Sequence, residues 1–342
     1  MVVNIHAKSK LKQIHHSNFF MKRISLSIIV ITLIFTSTFA NPKSPDPDPS
    51  VKTISISFSG AFALYPLVQT WAAEYNKTHP DIRFDIQAGG AGKGLTDCLA
   101  GAVDVGMFSR ELTDAEKAKG VWWIALCRDA VIPTLNAKNP NLKSIQIRGV
   151  KKNEFGSIFV DHTITTWEQL LGSGSKSTHK INVYTRADAA GAADAWASFF
   201  GKRQENLKGI GIPSDPGVAD AVRKDMNGIG YNNTLFVYDA KTGKKNPGID
   251  IVPIDVNGNG QIDPEENFYD NLRIFLKAVN DGRYPSPPAR NLYFLTKGKT
   301  QKKEVQDFFK WVLSDGQKFV DVAGYVALPK GTIQDQLKKL AK

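Results

Sequence analysis

The sequence predicts an α/β protein of two lobes, with parallel-rich sheets, flanking helices and a cleft between the lobes. Three observations carry this. Strand-like alternation and helical periodicity succeed each other as β-α-β-α-β between Ile54 and Phe108, the order that builds a parallel sheet. A second run of mixed strand and helix signals fills Ala137 to Pro285. In both runs a strand leads into small residues immediately ahead of a helix, at Gly89–Gly92 and again around Gly191. Ligand groups in such sheets collect at the C-terminal ends of the strands, so the two sites are expected to face one crevice.

The leader comes first. The chain has 342 residues and a formal net charge of +11. Residues 1–40 hold five basic and no acidic residues, so without them 39 basic residues face 33 acidic ones and the charge falls to +6. The remaining basic residues are spread out, not blocked, which argues against nucleic acid as a partner. Met21-Lys22-Arg23, the apolar run Ile24 to Phe35 and the small-residue end Thr36 to Ala40 read as a secretory signal peptide over 1–40, with Met21 as an alternative start. The apolar run is shorter than the roughly 20 residues of a membrane span. No cysteine stands near the cleavage point, so no lipid anchor is expected there. The mature protein is expected to be periplasmic or secreted. Residues 41–50 (NPKSPDPDPS) carry four prolines and no apolar side chain, and read as an extended linker. Cys98 and Cys127 both lie in the exported part. A disulfide between them and two buried free thiols both remain open.

Ile54, Ile56 and Phe58 alternate with polar residues as a strand ending at Ser59-Gly60. Pro66 suits a first helical turn, and Leu67, Val68, Trp71, Ala72 and Tyr75 share one face of a helix running to about Lys77. Ile82, Phe84 and Ile86 form a second strand, a helix follows from Lys93 to about Ala100, and a third strand covers Val103 to Phe108. A glycine turn lets a ligand approach the backbone, and the first amides of a helix lack partners and carry partial positive charge. The loops Ser59–Tyr65, Gly89–Lys93 and Ser109-Arg110 therefore converge as an anion seat. Trp122 to Asn136 reads as a strand leading out of this lobe. Thr166 caps a helix through Leu171, and Ile181 to Tyr184 is a strand ending in Thr185-Arg186-Ala187-Asp188. Gly191 then opens a helix through Asp194, Trp196, Phe199 and Phe200. A strand at Leu292–Leu295, a helix from Lys302 to about Val322 and an extended end at Tyr325–Pro329 are expected to rejoin the first lobe. The lobes accordingly divide as 51–136, 137–285 and 286–342.

Residues 255–266 (DVNGNGQIDPEE) fit the twelve-residue EF-hand loop. Asp255, Asn257, Asn259 and Asp263 offer side-chain oxygens, Gln261 a backbone carbonyl, and Glu266 a bidentate carboxylate, with Gly260 at the sharp turn. An Asn/Gly-rich surface turn would not require Asp263 and Glu266 where they stand. The segment before the loop reads as a strand and that after it as a helix, so a single structural Ca2+ clip is expected, not a sensor pair.

At this point the residues resemble a known family, the periplasmic phosphate-binding proteins of ABC transporters, with the type II periplasmic binding protein fold. The likeness rests on SGAFALYPLVQTWAAEY, AGGAGKGL, VDVGMFSREL, IALCRDAVIPTLN, YTRADAAGAADAWASFF, GIGYN and WVLSDGQKFVDVAGYVALP, in consistent order from Thr53 to Pro329. It implies crossover strands near Pro133–Ala137 and Pro285–Asn291. It also implies ligand contacts from Ala63, Leu64, Tyr65, Ala91, Gly92, Ser109, Arg110, Arg186, Ala190, Gly191 and Ala192. Asp188 would hold Arg186 in place. The family's usual serine and threonine hydroxyls are replaced by Ala63, Leu64, Ala91, Ala190 and Ala192, while Ser109, Arg186 and Asp188 are kept.

The resemblance implies a monomeric receptor that captures phosphate or a related oxyanion and delivers it to an inner-membrane ABC permease. The alternative is a calcium-stabilised secreted or signalling module of the same fold that binds a different anion or no small ligand. An enzyme is not expected. His79, His162 and His179 are the only histidines after the leader, with no metal-ligand spacing, and no nucleophile elbow is present.

Overall fold

A computed structural model describes residues 53–173 and 179–342, so the signal peptide at 1–40 and the linker at 41–50 lie outside the described residues. The chain opens as β1 (Ile54–Gly60), α1 (Tyr65–Asn76), β2 (Ile82–Ala88), α2 (Ala91–Ala100), β3 (Val105–Phe108), the short α3 (Asp114–Lys117) and the long β4 (Val121–Asn136). It continues as α4 (Leu142–Arg148), β5 (Val150–Lys151), α5 (Lys152–Phe159), α6 (Trp167–Leu171), β6 (Asn182–Arg186), α7 (Gly191–Phe199), β7 (Ile210–Ile212), α8 (Asp215–Lys224), β8 (Gly228–Asn233) and α9 (Thr234–Val237). After β9 (Ile249–Ile251), β10 (Ile254–Asp255) and α10 (Leu272–Asn280), the chain returns through β11 (Ala289–Lys297), α11 (Lys303–Val312), β12 (Val326–Ala327) and α12 (Lys330–Ala341).

The sheet runs β2-β1-β3-β11-β4-β8-β6-β7. In the first lobe β1 lies parallel to both β2 and β3, from Ile54↔Ile82 to Gly60↔Ala88 and from Phe58↔Val105. β11 enters antiparallel between β3 and β4. Its core joins Phe58, Trp71, Phe294, Phe308 and Phe309, all fully buried, with edge contacts such as Phe58 on Phe308. Helix α2 presses directly on this sheet. A Cβ on Gly94 would sit 2.8 Å from the Gly60 Cα, so only two glycines allow the approach.

The second core gathers Phe155, Phe159, Trp196 and Tyr231, with a further aromatic group of Phe268, Tyr269, Phe275 and Tyr284. β4 belongs to both lobes. Its residues up to Ala130 pair with β11, and from Val131 onward they pair with β8. The passage between lobes thus falls at Ala130–Val131, ahead of Pro133–Ala137 and of the boundary at 136 read from the sequence. Nothing in the apolar run Ala130 to Ile132 marks the change of partner. Thr234 Oγ1 donates to the Ala130 carbonyl (3.1 Å), and Tyr284 Oη to that of Val131 (2.6 Å).

Two elements differ from expectation near the end. The helix expected to about Val322 stops at Val312 and gives way to a 3-10 turn at Asp315–Phe319. Ser314, Asp315 and Gly316 are weak helix formers, and the Gly316 carbonyl accepts from Trp71 Nε1 at 2.8 Å instead. Helix α12, unforeseen in the sequence, buries Ile333 and Leu340 on the first lobe. Among the described residues no helix is long and apolar enough to cross a membrane.

Candidate functional site

The N-termini of two helices from opposite lobes meet at one place. The first lobe supplies α2, whose glycine turn is folded onto β1: Gly89 and Gly90 donate to the Gly60 carbonyl at 2.8 and 3.0 Å. Gly90 holds φ at +89°, and a Cβ there would lie 2.8 Å from Asp188 Oδ2 of the second lobe. Gly92 donates across the cleft to the Ala189 carbonyl at 3.0 Å. The second lobe supplies α7, whose start at Gly191 stands against Ser109 at the end of β3. A Cβ on Gly191 would fall 2.5 Å from the Ser109 carbonyl oxygen. Ala63, Leu64, Ala91, Ser109, Ala190 and Ala192 are all buried around this junction. The cap residues Gly90 and Ala190 offer the helices no side-chain acceptor, so first-turn amides of α2 and α7 other than that of Gly92 remain available to a ligand.

Tyr65 differs from these. It is half-buried, and its hydroxyl accepts from Gln69 Nε2 (3.0 Å) on its own helix, so its side chain is engaged along α1. Lys93 pairs with Asp97 and donates to Ser59 Oγ (3.2 Å), and so does not enter the seat as a free cation.

Arg186 is the charge at the centre. Its side chain is 1% exposed and ends β6 facing three acceptor sites. Nε and Nη2 donate to the two oxygens of Asp188 at 2.8 and 2.5 Å, and Nη1 donates to Asp215 Oδ2 at 2.5 Å. Three of its five N–H groups are thereby spent. Burial alone would lower the Arg186 pKa, but Asp215 and Asp188 outweigh it and hold the guanidinium above its ordinary value. Burial pushes the Asp215 carboxyl up, against the pull of Arg186 and Arg290. The Phe62 ring covers the guanidinium at 5.6 Å. The start of α8 is strained to bring Asp215 in: Ser214 sits at φ +67° and donates to Asp188 Oδ1 at 3.3 Å.

Arg110 lies at the rim, bonded to both oxygens of Glu116 at 2.6 and 2.8 Å and 3.9 Å from Asp194 on the first turn of α7. It links the lobes by charge, its own charge already balanced by Glu116. Burial would depress its pKa, and Glu116 reverses that. Burial likewise raises the Asp194 carboxyl.

Asp215, Asn233, Asp129 and Arg290 were not foreseen. Asp215 follows Ser214 and precedes a proline and a glycine, which reads as an ordinary helix start. The better signal lay in Asp129 and Arg290, charges set among the apolar residues of their strands, where a buried charge needs a partner.

The loop at 255–266 takes a tight form. Asp255 and Glu266 are buried and turned onto backbone amides. Asp255 accepts from Gly258 and Gly260 at 2.7 and 2.8 Å, and Glu266 Oε1 from Val256 and Asn257 at 2.8 and 2.9 Å. Asp263 collects the side-chain amides of Asn257, Asn259 and Gln261 at 2.8, 2.7 and 2.9 Å. Among the described residues no three His, Cys, Asp or Glu side chains are gathered closely enough to hold a metal by themselves. The loop is stitched to the second lobe where Ile262 donates to the Ile147 carbonyl (2.9 Å) and β10 pairs with β5.

Cys98 and Cys127 are both buried and free, so the disulfide weighed in the sequence is not formed. Cys98 lies on the buried face of α2 against Gly106 of β3, whereas Cys127 is in β4 opposite Leu292.

Residues 45–316 match the family model described as a PBP superfamily domain. The phosphate-binding protein PstS of Xylella fastidiosa is 25% identical over 323 residues, covering 86% of this chain and 87% of its own length. The PstS of Bacillus subtilis is 27% identical over 260 residues, 75% of each chain. A phosphate ABC transporter substrate-binding protein of Clostridium perfringens, solved with bound phosphate, shares the fold at TM-score 0.65 and 20% identity, over 81% of this chain and 100% of that one.

Proposed function

The chain belongs to the PBP superfamily, and on that footing we propose that it is an extracytoplasmic solute-binding protein that captures phosphate or a related oxyanion for an ABC uptake system. The observation that carries this is the meeting of the α2 and α7 N-termini beside Ser109 and the buried, fully charged Arg186. Two helix dipoles directed at one point favour an anion without any side-chain hydroxyl. This matters because alanines line the seat at 63, 91, 190 and 192. Each hydrogen bond to a charged group contributes about 1.5–3 kcal/mol, so the backbone amides and Arg186 must supply most of the affinity. Closure of the lobes on the anion adds cross-cleft contacts such as Gly92 to Ala189, and no covalent step is involved.

The relatives named for phosphate binding, and the neighbour carrying phosphate, support the same ligand class. Export and an ABC permease as partner follow from the receptor role, with a monomer as the working form. Titration calorimetry of the purified protein with phosphate, arsenate, sulfate and molybdate tests it. Saturable binding of one of them, lost in Arg186→Met, is expected. Absence of binding by all four would leave the module without a small ligand as the reading.

For the loop at 255–266 we propose a structural Ca2+ clip. Its donors are all hard oxygens, and half a turn of the Asn257 and Asn259 carboxamides presents their oxygens beside Asp263. Bound Ca2+ would supply a fixed charge tying the loop to the α4–β5 corner. Addition of Ca2+ to chelator-treated protein should raise Tm in the native chain and not in Asp263→Asn. Equal melting curves with Ca2+ and with chelator would remove the proposal.

A further inference from the structure

The two strands that join the lobes carry a buried ion pair. Arg290 on β11 stands opposite Asp129 on β4 in the pairing register, one residue from the point at which β4 changes lobe. The two side chains are 4% and 2% exposed. Arg290 Nε and Nη2 donate to the Asp129 oxygens at 2.8 and 3.1 Å, and Nη2 also donates to Asn233 Oδ1 at 2.5 Å. Asn233 passes the connection on, since its Nδ2 donates to Asp215 Oδ1 at 2.7 Å. Asp215 in turn accepts from Arg186. An unbroken chain, Asp129–Arg290–Asn233–Asp215–Arg186–Asp188, thus leads from the joining strands to the central cation. Among the described residues Arg290 Nη1 is buried without a protein acceptor, and the guanidinium is oriented by Asp129 and Asn233.

Buried charge-assisted hydrogen bonds fix direction and reinforce one another along a chain. We propose that Arg290 is a positioning residue for Arg186: acting through Asn233 and Asp215, it sets the angle at which the Arg186 guanidinium is presented to an anion, and links anion affinity to the setting of the joining strands. The proposal rests on the oxyanion-receptor reading. A shift of β11 against β4 moves Arg290, and the two links that follow carry that shift to Arg186. Sequence position alone hides this, because Arg290 and Arg186 are 104 residues apart (290 − 186).

Two variants test it. Asn233→Leu keeps the branched outline of the side chain and removes both links, and Arg290→Lys keeps the charge but cannot reach Asp129 and Asn233 together. Phosphate affinity by calorimetry should fall about tenfold to a hundredfold in either, the loss of one charge-assisted bond. A second readout needs no ligand: the Nε–H resonance of Arg186 in 15N-labelled protein, identified by its loss in Arg186→Lys. It should shift or broaden in both variants. Lower Tm with an unchanged resonance and unchanged affinity would mean that the chain serves stability only, and would overturn the proposal. If the native protein binds none of the oxyanions, the receptor reading fails, and the resonance still decides whether Arg290 positions Arg186. Should Asn233→Leu fail to fold, Arg290→Lys carries both readouts.

Discussion

Gly191→Ala separates closure of the cleft from stability of the lobes. Gly191 opens α7 with backbone angles open to any residue, so alanine suits its own helix and would be favoured there by up to about 1 kcal/mol. The obstacle lies in the other lobe. The new methyl would stand 2.5 Å from the Ser109 carbonyl oxygen and 2.8 Å from its carbon, and nearer still to Oγ. Two of these three atoms are backbone at the end of β3, so no rotamer change relieves them. Ordinary contact is about 3.5 Å or more, and the lobes must part by about 1 Å at this point. That parting stretches the Gly92 to Ala189 bond, now 3.0 Å, and withdraws first-turn amides of one helix from an anion held by the other. Loss of one neutral and one charge-assisted bond costs about 2–4 kcal/mol, and phosphate affinity should fall by about 30- to 1000-fold. Calorimetry gives the affinity and urea unfolding the stability. Gly331→Ala, on α12 with open space around it, is the control that should leave binding untouched. Native-like phosphate affinity in Gly191→Ala would refute the reasoning, because the bound state could not then have the lobes in this contact.

Arg186→Met should abolish anion binding and also destabilise the protein by about 3–5 kcal/mol in urea unfolding, since Asp215 is left buried without its cation; adding Asp215→Asn should restore part of the stability. Burial alone would raise the Glu116 pKa, but Arg110 and the Thr113 amide bring it down to about 2. Its folded value is therefore below its unfolded one, so its stabilisation is complete above the ordinary carboxylate range and is lost as pH falls towards 2. Glu116→Gln should flatten this acid limb in melting curves taken from pH 5 downward. Burial pushes Cys98 up to about 11 and Cys127 further, so a thiol reagent at neutral pH should modify neither in the native protein and both in urea. Electrophoretic mobility without reductant should match that with it.

Local patterns announced the elements with short-range causes. Alternation at Ile54–Phe58 produced β1, the Thr166 cap with Gln169 produced α6, and Pro66 marked the first turn of α1. The helix start at Gly191 was equally plain, as was the placing of Arg186 at the end of its strand. What escaped was set by distant partners. The end of α11 depends on Trp71 taking the Gly316 carbonyl, 245 residues away in sequence. The partner exchange inside β4 leaves no mark in burial, since the strand is buried on both sides of the change. Asp215 opens α8 while its ion-pair partner Arg186 ends β6, so nothing local to it marks a buried charge. Asp129 and Arg290 were the most legible of the missed residues, since a charge in an apolar strand asks for a partner even when it does not name one.

The route of the chain through its strands has a consequence for synthesis. β11, the central strand between β3 and β4, comes after the whole second lobe has been made. Until then β3 and one side of β4 are open hydrogen-bonding edges flanked by exposed apolar faces, the kind of surface that invites wrong pairing. The second lobe, from the end of β4 onward, is contiguous and can condense early; the first must wait for a strand that begins at Ala289. A chain cut short before that strand should therefore hold one folded lobe and one adhesive, unfinished one, so its exposure to aggregation ends with the emergence of β11.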